Sequence, residues 1–157
     1  MRFEAIIGHE EIGAKLRAGV RNARVAHAQL FNGPEGSGTL ALALSYARYL
    51  HCQAATESDA CGSCTSCKQY DTLQHPDLHW SFPFFKKDSS EQSTTQPFQN
   101  FWRERVLTDP YFGLEEWLGA IGADKKQLFI SVQEALELNR KLGLKSFQGG
   151  WKVLILW

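Results

Sequence analysis

Four cysteines stand close together in the chain, in the spacing C-x8-C-x2-C-x2-C. They are Cys52, Cys61, Cys64 and Cys67. Four thiolates can close a tetrahedral shell around Zn²⁺ at about 2.3 Å each, which leaves no position open for water or substrate. Gly62 and Ser63 allow the tight turns that such convergence needs. The spacing therefore predicts a structural zinc site whose binding free energy contributes to folding.

Three other interpretations of these cysteines remain open. They are an iron-sulfur cluster, a thiol redox pair such as Cys64 and Cys67, and four unconnected buried thiols. Nothing around the cysteines favours redox chemistry. The nearby His51 and His75 are not needed to complete a four-sulfur shell, and we interpret both as surface or packing histidines.

A second candidate is the stretch GPEGSGTL, residues 33–40, which resembles the phosphate-binding loop G-x-x-x-x-G-K-[ST]. The residues that match or occupy its turn are Gly33, Pro34, Gly36, Ser37, Gly38 and Thr39. Thr39 stands at the lysine position and Leu40 at the position of the magnesium-binding hydroxyl. Losing one charge-assisted hydrogen bond of roughly 1.5 to 3 kcal/mol weakens triphosphate binding by about tenfold to a hundredfold. We therefore interpret the loop as vestigial and expect no ATP hydrolysis; a plain glycine turn is the alternative.

Helices and strands must position these residues. Periodicity predicts an amphipathic helix over 10–24, a buried strand over 27–32 and a buried helix over 39–50. Further along we expect a strand at 78–84, two short helices around 101–107 and 114–121, and a helix over 132–142 entered through a strand or extended segment. The apolar run 151–157 predicts a strand covered on both faces, and 84–97 a mobile polar loop. This alternation predicts an α/β domain with a mostly parallel sheet.

Chain length and net charge limit the classes of function to be considered. The chain has 157 residues, about one domain, with 17 basic and 17 acidic side chains. That balance does not favour autonomous binding to nucleic acid. The sequence has neither a secretory signal nor an apolar stretch of membrane-spanning length. We therefore expect a cytoplasmic protein that does not associate with a membrane.

Four segments together resemble the bacterial clamp-loader ATPase family. They are FEAIIGHEEI (3–12), RVAHAQLFNGPEGSG (24–38), the cysteine set and HPDL (75–78). The resemblance resumes at LFISVQEALELNRKL and GGWKVLILW, where the family has a helix and its Walker B strand. We assign no family motif to residues 84–126. Within the family the chain is most similar to the delta prime subunits of DNA polymerase III, which commonly have a degraded loop.

The resemblance implies a RecA-like, AAA+ type three-layer sandwich with a parallel sheet and a zinc module at 52–67. It implies a stator in a ring with motor and delta subunits, which loads the sliding clamp onto primed DNA in replication. It also suggests an N-terminal fragment truncated after the Walker B strand, with a gap in the sheet and a tendency to self-associate. Two alternatives stay open: an ATP-binding motor subunit of gamma/tau type, and an unrelated zinc-containing binding domain.

Overall fold

The computed structural model describes residues 1–86 and 93–157, which form two compact units. The N-terminal unit comprises Met1–His75 and the C-terminal unit comprises Pro76–Trp157. Each unit has its own set of buried side chains. Helices and a small parallel sheet make up the described residues, as expected for an α/β fold.

The N-terminal unit is helical. After a 3-10 turn at Phe3–Ala5 come helices α1 (Glu10–Arg21), α2 (Thr39–His51) and α3 (Thr65–Asp71). Both helices predicted here are confirmed, because α1 lies within 10–24 and α2 coincides with 39–50 to within one residue. Most of α2 is buried, as its Ala- and Leu-rich sequence predicts.

The core of the N-terminal unit lies between the first residues of the chain, α2 and the cysteine segment. Phe3 contacts Tyr49 edge to face, with ring centroids 6.0 Å apart. The Asp59 carboxylate accepts the backbone N–H groups of Phe3 at 3.2 Å and Glu4 at 2.9 Å. The first residues of the chain are therefore fixed to the segment that carries the cysteines.

The strand predicted for 27–32 is wrong. These residues have no regular secondary structure, and the Leu30 side chain is 91% exposed. Strand hydrogen bonds come from a neighbouring strand rather than from the segment itself. Among the described residues nothing pairs with 27–32, so an apolar run that favours a strand stays an extended connection between α1 and the glycine loop.

The C-terminal unit contains the sheet. Strand β1 (Leu78–Ser81) pairs in parallel with strand β2 (Val153–Leu156), with Leu78 opposite Val153. Helices α4 (Gln99–Thr108), α5 (Leu114–Ile121) and α6 (Val132–Gly143) lie between the strands in the chain. The predicted strands near 78 and 153 and the three predicted helices are confirmed, with shorter strands than the apolar runs suggested.

An aromatic cluster fills the core of this unit around Trp102. Its indole stacks on Phe82 at 4.4 Å and meets Trp117 at right angles, with centroids 5.3 Å apart. Trp157 contacts both Trp102 and Phe112. Trp102 and Trp117 are thus core residues.

The polar stretch predicted as a mobile loop, 84–97, lies partly outside the described residues. On its described flanks Phe84 is buried, and Thr95 donates its N–H and hydroxyl to the buried Glu134 carboxylate of α6 at 2.9 and 2.7 Å.

Phe84 also forms an isolated antiparallel bridge with Phe129. The segment 127–131 is therefore an extended entry into α6, the second of the two predicted possibilities.

No helix within residues 1–86 and 93–157 combines the length and apolar character needed to cross a membrane.

Candidate functional site

The four cysteines converge at one point of the N-terminal unit. Cys52 is the C-cap of α2, Cys64 is the N-cap of α3 and Cys67 lies in the first turn of α3. Cys61 comes from the connecting segment, in which Gly62 adopts a left-handed φ of 76°. All four Sγ atoms lie within 4.8 Å of one another. Two helix ends and one turn thus bring together residues that the spacing predicted as one set.

The sulfur positions fit a tetrahedral metal shell. Four Zn–S bonds of about 2.3 Å at tetrahedral angles require sulfurs about 3.8 Å apart. The Sγ of Cys67 lies 3.8 Å from that of Cys52 and 4.0 Å from that of Cys61. A disulfide would require about 2.05 Å, and all four thiols are free. Cys52, Cys61, Cys64 and Cys67 could therefore hold one Zn²⁺ in a closed, structural site.

Backbone donors surround the sulfurs in a repeating pattern. The N–H groups of Cys64 and Cys67 donate to the Sγ atoms of Cys61 and Cys64, at 3.4 and 3.5 Å, and the N–H of Cys61 donates to Cys52 Sγ at 3.2 Å. Such hydrogen bonds favour thiolates and orient them toward a common centre.

These thiols have different environments. Backbone hydrogen bonds from Ser63 and Cys64 lower the pKa of the Cys61 thiol to about 6. Burial raises the pKa of Cys52 to about 12 and also raises that of Cys67. A cation at the centre opposes the effect of burial, because a coordinating thiol is deprotonated by the metal.

His51 and His75 form a separate packed cluster. Their rings stack with centroids 4.2 Å apart and an angle of 9°. His51 Nδ1 lies 2.6 Å from the Tyr70 hydroxyl, and His75 Nε2 lies 2.9 Å from the Ser66 hydroxyl. Among the described residues, the group that could hold a metal contains the four cysteines and neither histidine.

The glycine loop forms a tight turn before α2. Gly36 and Gly38 have left-handed φ values of 75° and 85°, and the N–H of Ser37 donates to the Pro34 carbonyl at 3.1 Å. A Cβ at Gly33 would lie 2.6 Å from Ser37 Oγ, so this position accepts no larger side chain without rearrangement. The residues predicted for the turn therefore do form one, at the N-terminus of a helix.

The two positions after the turn lack the groups that triphosphate chemistry needs. Thr39 is the first residue of α2, with a neutral side chain. Leu40 is only 5% exposed, because its side chain packs into the core. A magnesium-binding hydroxyl cannot come from that position.

His9 and a cleft lie beside the glycine loop, and the sequence did not predict either. His9 has a left-handed φ of 64°, and its Nε2 lies 2.6 Å from the Ser37 carbonyl oxygen. His9 also lines a cleft of about 220 Å³, together with Phe3, Arg17, Leu42 and Asp59 among others. The sequence gives no signal for this contact, because a contact across 28 residues has no local pattern.

Three basic residues contact other groups of the protein. The Arg17 guanidinium lies 4.8 Å from the Phe3 ring centroid, and Lys126 Nζ lies 4.9 Å from that of Phe85. Arg21 donates to the Glu57 carbonyl at 3.0 Å. These three side chains are therefore engaged by other residues of the protein.

Several known proteins share part of this sequence. The chain is 34% identical over 67 residues to the DNA polymerase III subunit tau of Bacillus subtilis, which is 43% of this chain and 12% of that protein. It is 37% identical over 65 residues to the subunit gamma/tau of Mycobacterium bovis, covering 41% of this chain and 11% of the relative. The protein STICHEL of Arabidopsis thaliana is 34% identical over 92 residues, 59% and 8% of the two chains. The matched part thus spans about a tenth of each relative's length.

A family model gives a longer match. The model described as "DNA polymerase III, delta subunit" matches residues 8–157, which includes the glycine loop, the four cysteines and both strands. This chain therefore belongs to the DNA polymerase III delta subunit family.

Proposed function

We propose that this chain is part of a non-catalytic, stator-like subunit of a clamp loader, of the delta prime type. In this role it acts through protein partners, the motor and delta subunits, in a complex that loads the sliding clamp onto primed DNA. Its glycine loop is a vestigial phosphate loop, and its own nucleotide turnover is absent. Family membership supports the replication role and argues against an unrelated zinc-containing binding domain.

The single observation that carries the proposal is the start of α2. A working phosphate loop needs a cation that reaches the β and γ phosphates and a hydroxyl on Mg²⁺. Here Thr39 supplies no charge, and Leu40 is buried in the core. Backbone N–H groups alone leave triphosphate binding weaker by about tenfold to a hundredfold and leave catalysis without its main electrostatic contribution.

The metal site fits the same role. Zn²⁺ held by Cys52, Cys61, Cys64 and Cys67 would supply cross-linking and no reactive position, because all four ligands come from the protein. The cross-link would tie the C-terminus of α2 to α3 and to the segment around Asp59. A rigid N-terminal unit is what a scaffold subunit requires.

An ATP-binding motor subunit is the second candidate. The names of two of the similar proteins, subunit tau and subunit gamma/tau, favour it. In that case backbone N–H groups of the glycine loop would bind the phosphates despite Thr39. The two candidates differ in nucleotide affinity, so one titration separates them.

The test is a titration of the full-length protein with a fluorescent ATP analogue and Mg²⁺. The proposal expects no saturable binding in the micromolar range for the natural chain. The Thr39→Lys variant is the matched control, because it returns the missing cation and should tighten binding by about tenfold to a hundredfold. Micromolar, magnesium-dependent binding by the natural chain, accompanied by hydrolysis, would overturn the stator proposal in favour of the motor subunit.

A further inference from the structure

A buried arginine joins the two helices that present metal ligands. Arg48 lies four residues before Cys52, and Asp71 lies four residues after Cys67. Residues four apart share one face of a helix, so Arg48 and Asp71 point toward the side on which the sulfurs meet. Arg48 Nη1 donates to Asp71 Oδ1 at 2.7 Å, which links α2 to α3 directly behind the cysteines.

The Arg48 charge is incompletely balanced by this ion pair. Its side chain is 4% exposed, whereas that of Asp71 is 54% exposed and therefore well screened by water. The other hydrogen bond of Nη1 goes to the Met1 carbonyl at 3.3 Å, and Nε has no hydrogen-bond partner among the described residues. A buried cation requires close compensation by negative charge.

The missing negative charge is available at the metal centre. The Arg48–Asp71 ion pair joins α2, whose C-cap is Cys52, to α3, which carries Cys67. A hydrogen bond from the Arg48 side chain opposes the rise that burial causes in the pKa of the Cys67 thiol. Zn²⁺ with four thiolates carries two net negative charges. A guanidinium beside one of these sulfurs offsets part of that charge and directs the sulfur, as partners of metal ligands commonly do.

We propose that Arg48 is a positioning residue for the metal site, which orients the Cys67 thiolate and compensates the charge of the four-thiolate shell, while Asp71 fixes the guanidinium. The inference rests on the metal site proposed above and goes beyond it. Without this role, Arg48 would only tie the Met1 carbonyl to α2, and its substitution would change stability but not the metal site itself.

The test compares zinc affinity by competition with a chromophoric chelator in four forms of the protein. Arg48→Met keeps the apolar stem and removes the charge, and Arg48→Lys keeps the charge. Arg24→Met, at an exposed arginine of the same unit, is the matched control. We expect Arg48→Met to bind zinc about 10- to 100-fold more weakly than the natural chain. Arg48→Lys should recover part of the loss, and Arg24→Met should bind as the natural chain does.

Cobalt substitution adds a spectroscopic measurement that would not change if the role of Arg48 were purely structural. With Co²⁺ in the site, the thiolate-to-cobalt charge-transfer band should shift in Arg48→Met and less so in Arg48→Lys. Equal zinc affinity and an unchanged band in Arg48→Met would overturn the inference, as would an Arg48→Lys variant as weak as Arg48→Met. If Arg48→Met does not fold, Arg48→Lys and Asp71→Asn decide by the same measurements. Absence of zinc binding by the natural chain would overturn the metal site and this inference together.

Discussion

Removal of the metal should unfold the N-terminal unit while the C-terminal unit keeps its structure. Structural Zn²⁺ contributes about 10 to 16 kcal/mol of apparent binding free energy near neutral pH. A unit of 75 residues at 0.05 to 0.15 kcal/mol per residue has a stability of about 4 to 11 kcal/mol. The binding free energy lost with the metal is therefore as large as the free energy of unfolding of the whole unit. Cys67→Ser should have the same effect, because the sulfur of Cys67 contacts two of the other three.

Two spectroscopic signals separate the units. All five tryptophans lie in the C-terminal unit, so their emission reports on that unit alone. Helices of 12, 13 and 7 residues lie in the N-terminal unit and helices of 10, 8 and 12 residues in the other. Chelation of zinc should thus remove about half of the helical circular dichroism signal and leave tryptophan emission unchanged.

The control for this experiment is Arg24→Met, at an exposed arginine of the N-terminal unit. This change should leave both signals as they are. Full helical signal after complete removal of zinc would refute a structural metal. Simultaneous loss of helix and of native tryptophan emission would refute the independence of the two cores.

Three further outcomes can be measured. Trp102→Ala should lower the free energy of unfolding of the C-terminal unit by about 3 to 5 kcal/mol in a urea titration followed by tryptophan emission, because the indole is fully buried in the aromatic cluster. Glu134→Ala should cost about 2 to 4 kcal/mol in the same assay, since it leaves two donors of Thr95 unpaired, and Glu134→Gln should cost less. Lowering the pH should release zinc, seen with a colorimetric chelator, because protons compete with the metal for thiolates; release independent of pH would contradict thiolate ligation.

The features that the sequence predicted correctly are mostly set by residues that lie close together in the chain. The cysteine spacing identified the sulfur cluster because two of its three intervals are single turns, and Ala- and Leu-rich periodicity identified α2. The strand at 27–32 failed because strand formation depends on a partner, and the exposed Leu30 has none among the described residues. A hydrophobic run alone does not supply that partner.

Long-range contacts account for the rest. Nothing near Arg48 in the sequence indicates that Asp71 lies 2.7 Å away, or that His9 reaches the Ser37 carbonyl. We assign no motif to 84–126 from its sequence, yet the family match covers this segment, and it supplies Trp102 and Trp117 to the aromatic core. Side chains of this kind are positioned by tertiary packing, which periodicity does not encode.

The most direct test of the central claim is assembly. The full-length protein should form a stable complex with the motor and delta subunits of its own organism in size-exclusion chromatography. That complex should load a sliding clamp onto primed DNA, and the Thr39→Lys variant should not increase loading. Failure to join the complex, or loading that depends on ATP turnover by this chain itself, would contradict the account.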